Sequence, residues 1–137
     1  MATRSYIILE LSDEDKKKYK TDKNYMGIYC HWDGYKSYNG RILMKYYDTK
    51  EKVEELISHG DMSSLQPTLQ ECIFYHRDRE HDLKISFFDE INKEFTNSMV
   101  CFLYLFKNNQ WHYRYAYKAK APFRVLTMSN TRPSADY

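Results

Sequence analysis

Apolar and polar positions switch in short runs along this chain, and long helical stripes are few. Residues 4–11 (RSYIILEL) read as a strand, and residues 25–31 (YMGIYCH) as a second, giving an opening hairpin. Between them, 12–24 is polar and highly charged, which predicts a solvated connection or one short helical turn. Asp33-Gly34 signals a turn. Residues 39–47 place Ile42, Leu43, Tyr46 and Tyr47 on one helical face. Asp48 followed by Glu51 resembles a capping box for a helix over 49–58, with Val53, Leu56 and Ile57 as its stripe and Gly60 as its stop. Residues 61–70 read as a loop, 71–76 as a strand, 77–84 as a charged turn and 89–95 as a short helix. Residues 99–106 and 111–118 form the strongest predicted hairpin, joined by the short polar link 107–110. On its second strand Trp111, Tyr113, Tyr115 and Tyr117 share one face, and His112, Arg114, Ala116 and Lys118 the other. Residues 123–128 add an edge strand, and 129–137 a loose polar tail. Strands cluster rather than alternate with helices. That order predicts one α+β domain over 1–128, mainly an antiparallel sheet with two or three helices packed on one face.

Composition narrows the partners. A length of 137 residues fits one domain, and 42% apolar residues is ordinary for a globular chain. The net charge of +2 argues against strong non-specific nucleic-acid binding and equally against an acidic DNA mimic. The longest apolar run, 99–106, is too short to span a bilayer, so no membrane partner is expected. Cys30, Cys72 and Cys101 lie far apart with no paired spacing, which predicts free thiols inside strands, in a reducing cytosol. The 14 tyrosines suit both cores and binding surfaces. If the row Trp111, Tyr113, Tyr115, Tyr117 stays uncovered, it would exceed what a monomer normally exposes, and a homodimer is expected.

Three stretches carry candidate chemistry: residues 30–35 (CHWDGY), 60–65 (GDMSSL) and 75–80 (YHRDRE). His31 and Asp33 are two apart, as are His76 and Asp78. On extended backbone each pair points to one side, and together they would hold a divalent metal for phosphodiester chemistry. Arg77 and Arg79, sharing a face across Asp78 with Arg41 or Lys36 nearby, would form a fork for phosphate or carboxylate. The alternative for that run is a salt-bridge network with Asp78, Glu80 and Asp33. Trp32, beside Tyr35 and Tyr38, offers a flat ring on which a base can stack. If the strands ending at His31 and His76 are parallel neighbours, His31, Trp32 and Asp33 meet Arg77, Asp78 and Arg79 at one sheet end. No nucleophile elbow, phosphate loop or paired-histidine zinc motif occurs, so neither a catalytic residue nor a cofactor is expected.

The same stretches, Tyr29 to Tyr35, Gly60 to Leu65 and Tyr75 to Arg79, followed by Tyr104 and Trp111, resemble the pattern of an uncharacterised family of small bacteriophage and prophage proteins. The likeness runs from the first strand through the aromatic hairpin. The chain departs from it at Lys36, where the pattern carries proline. It also departs after Arg79, where Glu80 and His81 stand in place of a glycine followed by an acidic residue or threonine. The resemblance implies a phage accessory protein in the cytoplasm of an infected bacterial host. The function expected from it is non-enzymatic binding in host takeover or counter-defence. Such a protein would sequester a nucleotide-like small molecule or occlude a host defence protein. The residues expected to carry it are His31, Trp32, Asp33, Tyr35, Arg41, Arg77, Asp78 and Arg79. A metal-dependent phosphodiesterase or nuclease and a virion or scaffold component are the alternatives.

Overall fold

A computed structural model describes residues 2–95 and 99–135. Its spine is a sheet in the order β4-β3-β2-β1-β6-β7-β8, with β5 pairing separately onto β2. The opening hairpin is present: β1 (Ser5–Glu10) and β2 (Tyr25–Cys30) pair antiparallel in full register. The final hairpin, β6 (Phe102–Lys107) and β7 (Gln110–Tyr115), is also antiparallel. Its turn is only Asn108-Asn109, both at positive φ (51° and 59°), the twist a two-residue hairpin needs. Short edge strands β8 (Arg124–Val125) and β4 (Ile73–Phe74) end the sheet.

The single α+β domain with a mainly antiparallel sheet matches expectation; two parallel pairings make the sheet mixed. β1 runs parallel to β6, and β2 runs parallel to β3 (Met62–Ser64). The segment 61–70, expected to be all loop, therefore supplies a strand. Also unforeseen is β5 (Ser86–Phe88).

Strand periodicity divides the sheet into two faces. Ile7, Leu9, Met26, Ile28, Phe102, Tyr104, Phe106, Trp111 and Tyr113 point to the larger core, beneath α2 (Arg41–Tyr46) and α3 (Lys50–Ser58). Tyr6, Ile8, Leu103 and Leu105 point the other way, under α5 (Ile91–Phe95) through Ile91 and Phe95. Helices therefore cover both faces, not one. Val53, Leu56 and Ile57 of α3 are fully buried, as their spacing predicts. Its cap is Thr49, whose Oγ1 accepts from the Lys52 N–H, rather than the expected Asp48, which instead pairs with the Lys52 ammonium. The charged connection 12–24 holds α1 (Asp13–Lys18), closed by a Ser12/Asp15 capping box. A π-helical turn, Lys36–Gly40, precedes α2.

Two expectations about exposure change. Trp111 and Tyr113 are only 4% and 8% exposed, Tyr115 is half-buried, and Tyr117 alone stands out at 76%. The aromatic row is core, so it supplies no reason for a homodimer. The segment after residue 128 is not loose where it is described. Thr131 is fully buried, and its Oγ1 donates to the Thr127 carbonyl and accepts from Arg41 Nε. Asp136 and Tyr137 lie outside the described residues.

All three thiols are free; Cys30 and Cys72 are buried, whereas Cys101 is exposed and precedes its strand. Burial pushes the Cys30 thiol up to about 12. A thiol reagent on folded protein is expected to modify Cys101 alone, and all three only after unfolding. Intact mass before and after denaturation reads the number of adducts.

Candidate functional site

The residues grouped from sequence are not brought together. β3 lies between β2 and β4, and β4 runs antiparallel to β3 and hence to β2. The chain therefore leaves β2 at His31 and β4 at Tyr75 in opposite directions. The proposed union of His31, Trp32 and Asp33 with Arg77, Asp78 and Arg79 does not form.

The geometry within each motif also departs from expectation. Tyr75–Arg79 is a helical turn, α4, so Arg77 and Arg79 do not share a face. Asp78 causes the turn: one carboxylate oxygen accepts the Phe74 N–H at 2.8 Å, four residues back. Both oxygens also take Arg77, at 2.9 and 3.0 Å. Hydrogen bonding to Arg77 holds the Asp78 carboxyl below its ordinary value. Arg77 also donates to the Leu69 and Cys72 carbonyls. Of the salt-bridge network weighed as the alternative, the Asp78 pairing is present, and neither Glu80 nor Asp33 joins it among the described residues.

Asp33 sits in left-handed backbone (φ 57°) at the turn, so His31 and Asp33 do not project together. His76 donates through Nδ1 to the His81 carbonyl. His31, Asp33, His76 and Asp78 thus make no common ligand set. Among the described residues no three His, Cys, Asp or Glu side chains gather as a metal site. Lys36 is buried beneath Tyr113 and Tyr115 (4.6 and 5.2 Å), away from Arg77. Tyr35 packs partly into the main core. Trp32 remains 46% exposed and meets His31 edge-on, with ring centroids 4.6 Å apart.

Parts of the second and third motifs do converge elsewhere, with Tyr29, the residue before the first. A pocket of about 300 Å³ is lined by Tyr29, Asp61, Tyr75, His81, Asp82 and Lys84. Asp61 is the fixed point. Gly60, at φ 78°, turns the chain out of α3; a Cβ there would meet the Leu83 side chain at 2.8 Å and the Lys84 carbonyl at 3.0 Å. The Asp61 N–H then donates to the Lys84 carbonyl (3.0 Å), and its carbonyl accepts from the Tyr75 N–H (3.2 Å). Its side-chain Oδ1 accepts the Tyr29 N–H at 2.9 Å. The second carboxylate oxygen has no hydrogen-bond donor among the described residues. Burial holds this carboxyl above its ordinary value, with Lys84 opposing.

The aromatic side chains around it are braced. Tyr75 and His81 stack at 5.7 Å with 18° between planes, and Arg79 lies over the Tyr75 ring at 5.5 Å. The Tyr29 hydroxyl meets His31 Nδ1 at 2.7 Å. Thus His31 and Arg79 support the pocket from behind, while Trp32, Asp33, Arg41, Arg77 and Asp78 are not among its lining residues.

The Tyr75–His81 stack depends on Glu80, which ends α4 in left-handed backbone (φ 56°). Glu80→Gly is expected to raise stability by about 1 kcal/mol, since a side chain in that conformation is strained. Urea unfolding reads this, and a loss of stability would mean the Glu80 side chain itself holds the turn.

Sequence reasoning singled out Asp61 only as part of a motif and missed Lys84 and Asp82. The visible signal was Gly60-Asp61, a left-handed stop followed at once by a carboxylate. Comparison with known protein families, curated proteins and solved structures found no match to this chain.

Proposed function

We propose that this protein is a non-enzymatic binder of a nucleotide-like small molecule, held in the Asp61 pocket. The biological setting we propose is a bacteriophage accessory role in host takeover or counter-defence. The observation that carries the reading is half-buried Asp61, held by two hydrogen bonds of its own backbone and by the Tyr29 N–H on one carboxylate oxygen, with no donor to the other oxygen among the described residues. A carboxylate so placed is an acceptor for the amino and ring N–H groups on a base edge. The Tyr75–His81 stack beside it offers aromatic surface to a base. Partial burial of such a carboxylate costs stability, which donors on a ligand would offset.

A second reading has its own observation. Tyr38 and Tyr46, both substantially exposed, flank a groove of about 280 Å³ with Ile42, Arg41 and Lys45. An acidic face of a host protein would suit those rings and cations. No described helix is long and apolar enough to span a bilayer.

Calorimetric titration with free bases and mononucleotides tests the first reading. It expects at least one to bind the parent and to bind Asp61→Asn more weakly. Equal binding to both proteins, or none to the parent while Tyr38→Ala abolishes capture of a host protein, would transfer the proposal to the groove.

A further inference from the structure

Arg114 is a buried cation without an anion. It is 4% exposed, on the sheet face covered by α5. One guanidinium nitrogen, Nη1, donates to Asn92 Oδ1 and to the Ala119 carbonyl. The other two, Nε and Nη2, are buried with no acceptor among the described residues. Burial pulls its pKa down from the ordinary value, yet a guanidinium stays charged at any physiological pH. A buried charge lacking a partner is among the costliest features a fold can carry.

Its surroundings add positive charge rather than removing it. Arg114 lines a cavity of about 250 Å³ with Tyr113, Tyr115, Lys118, Pro122 and Arg124. No Asp or Glu lines it. Among the described residues none of Arg114, Lys118 and Arg124 forms an ion pair. Lys36, itself buried, lies over Tyr113 and Tyr115 on the other side of the strand, also without a carboxylate. The cavity opens because β7 and β8 pair only at His112↔Val125 and Tyr113↔Arg124, after which the loop 116–123 swings away. Phe123 in that loop lies 5.1 Å from the guanidinium carbon.

From this we infer that the cavity at the end of β7 is an oxyanion site, in which a small phosphorylated molecule meets Arg114 with Lys118 and Arg124 at the mouth. A tetrahedral oxyanion supplies the two acceptors that Nε and Nη2 lack, in the side-by-side geometry a guanidinium favours. Phe123 covers the guanidinium, so the ligand displaces this ring as it enters. The site stands apart from the Asp61 pocket, with which it shares no lining residue.

The test is thermal unfolding of the full chain at constant ionic strength, titrated with inorganic phosphate, phenyl phosphate or chloride. The parent is expected to show a saturable rise in melting temperature with either phosphate and none with chloride. A rise with both identifies a phosphate monoester as the natural class, and a rise with inorganic phosphate alone identifies the free anion. Arg114→Gln is expected to weaken the response at least about tenfold, as loss of a charged hydrogen bond does. If that variant does not fold, Lys118→Ser/Arg124→Ser, which alters only the exposed cations, is expected to weaken it instead. A phosphate response equal to that of chloride, or one unchanged in both variants, overturns the site. Asp61→Asn is expected to keep the response; if it abolishes it, the anion belongs to the Asp61 pocket and this inference falls while that reading stands.

Discussion

Trp111→Ala is expected to cost about 3–5 kcal/mol of stability, the range for removing a fully packed large aromatic side chain. The indole sits against Phe106 with centroids 5.2 Å apart, and its Nε1–H donates to the Tyr47 carbonyl at 2.7 Å. That bond ties the final hairpin to the end of α2, so the variant loses packing and leaves a buried carbonyl without its donor. Tyr117→Ala, three periods of two further along the same row, past the end of β7 and 76% exposed, is expected to change stability by less than about 0.5 kcal/mol. Urea unfolding separates the two cases. If Trp111→Ala unfolds like the parent while light scattering shows its mass halved, the row is an interface after all and the core assignment of Trp111 is wrong.

The contrast between Trp111 and Tyr117 shows what periodicity can and cannot report. Alternation correctly placed Trp111, Tyr113 and Tyr115 on one face. It could not report that α2, the π-helical turn and Lys36 would cover that face. The same blindness hid Arg114. Its position opposite the aromatic row was legible, but its burial comes from Asn92, Ala119 and Phe123, contributed by other segments.

Elements with strong local grammar were legible. The helix Lys50–Ser58 has a three-residue apolar stripe, and both hairpins have matched apolar runs about a turn. β3 had neither, being three residues long, and it is a strand only because β2 and β4 accept it on both edges. α4 failed for the opposite reason. Its sequence alternates like a strand, but Asp78 reaching back to the Phe74 N–H and gripping Arg77 makes a helical turn the better local solution. The candidate site inherits both errors. Of the three stretches singled out in the sequence, two contribute to one place, through Asp61 and Tyr75, joined by Tyr29 just before the first stretch rather than by the arginines and Trp32. Which side chains meet was decided by β3 entering the sheet, a long-range event with no local mark.

Asp61→Asn is expected to weaken ligand binding by about 1.5–3 kcal/mol, or roughly 10- to 150-fold, the worth of hydrogen bonds to a charged group. The same change is expected to stabilise the free protein at neutral pH. Burial raises the Asp61 pKa above its ordinary 3.8, so the folded state holds the proton more tightly than the unfolded chain does. The stability this provides is fully present below the unfolded value and is lost as pH rises through the raised folded one. At neutral pH the carboxylate is ionised and poorly solvated, whereas asparagine keeps an Oδ1 acceptor for the Tyr29 N–H without the charge. The melting temperature of Asp61→Asn should therefore exceed that of the parent at pH 7, and the gap should close as pH falls below the ordinary carboxylate range. A carboxylate kept for structure gives the opposite pattern, with asparagine less stable at pH 7 and the loss disappearing in acid. Gained stability together with lost affinity is the mark of a group retained for a ligand, because bound donors then offset the burial cost that Lys84 and the Tyr29 N–H leave uncompensated.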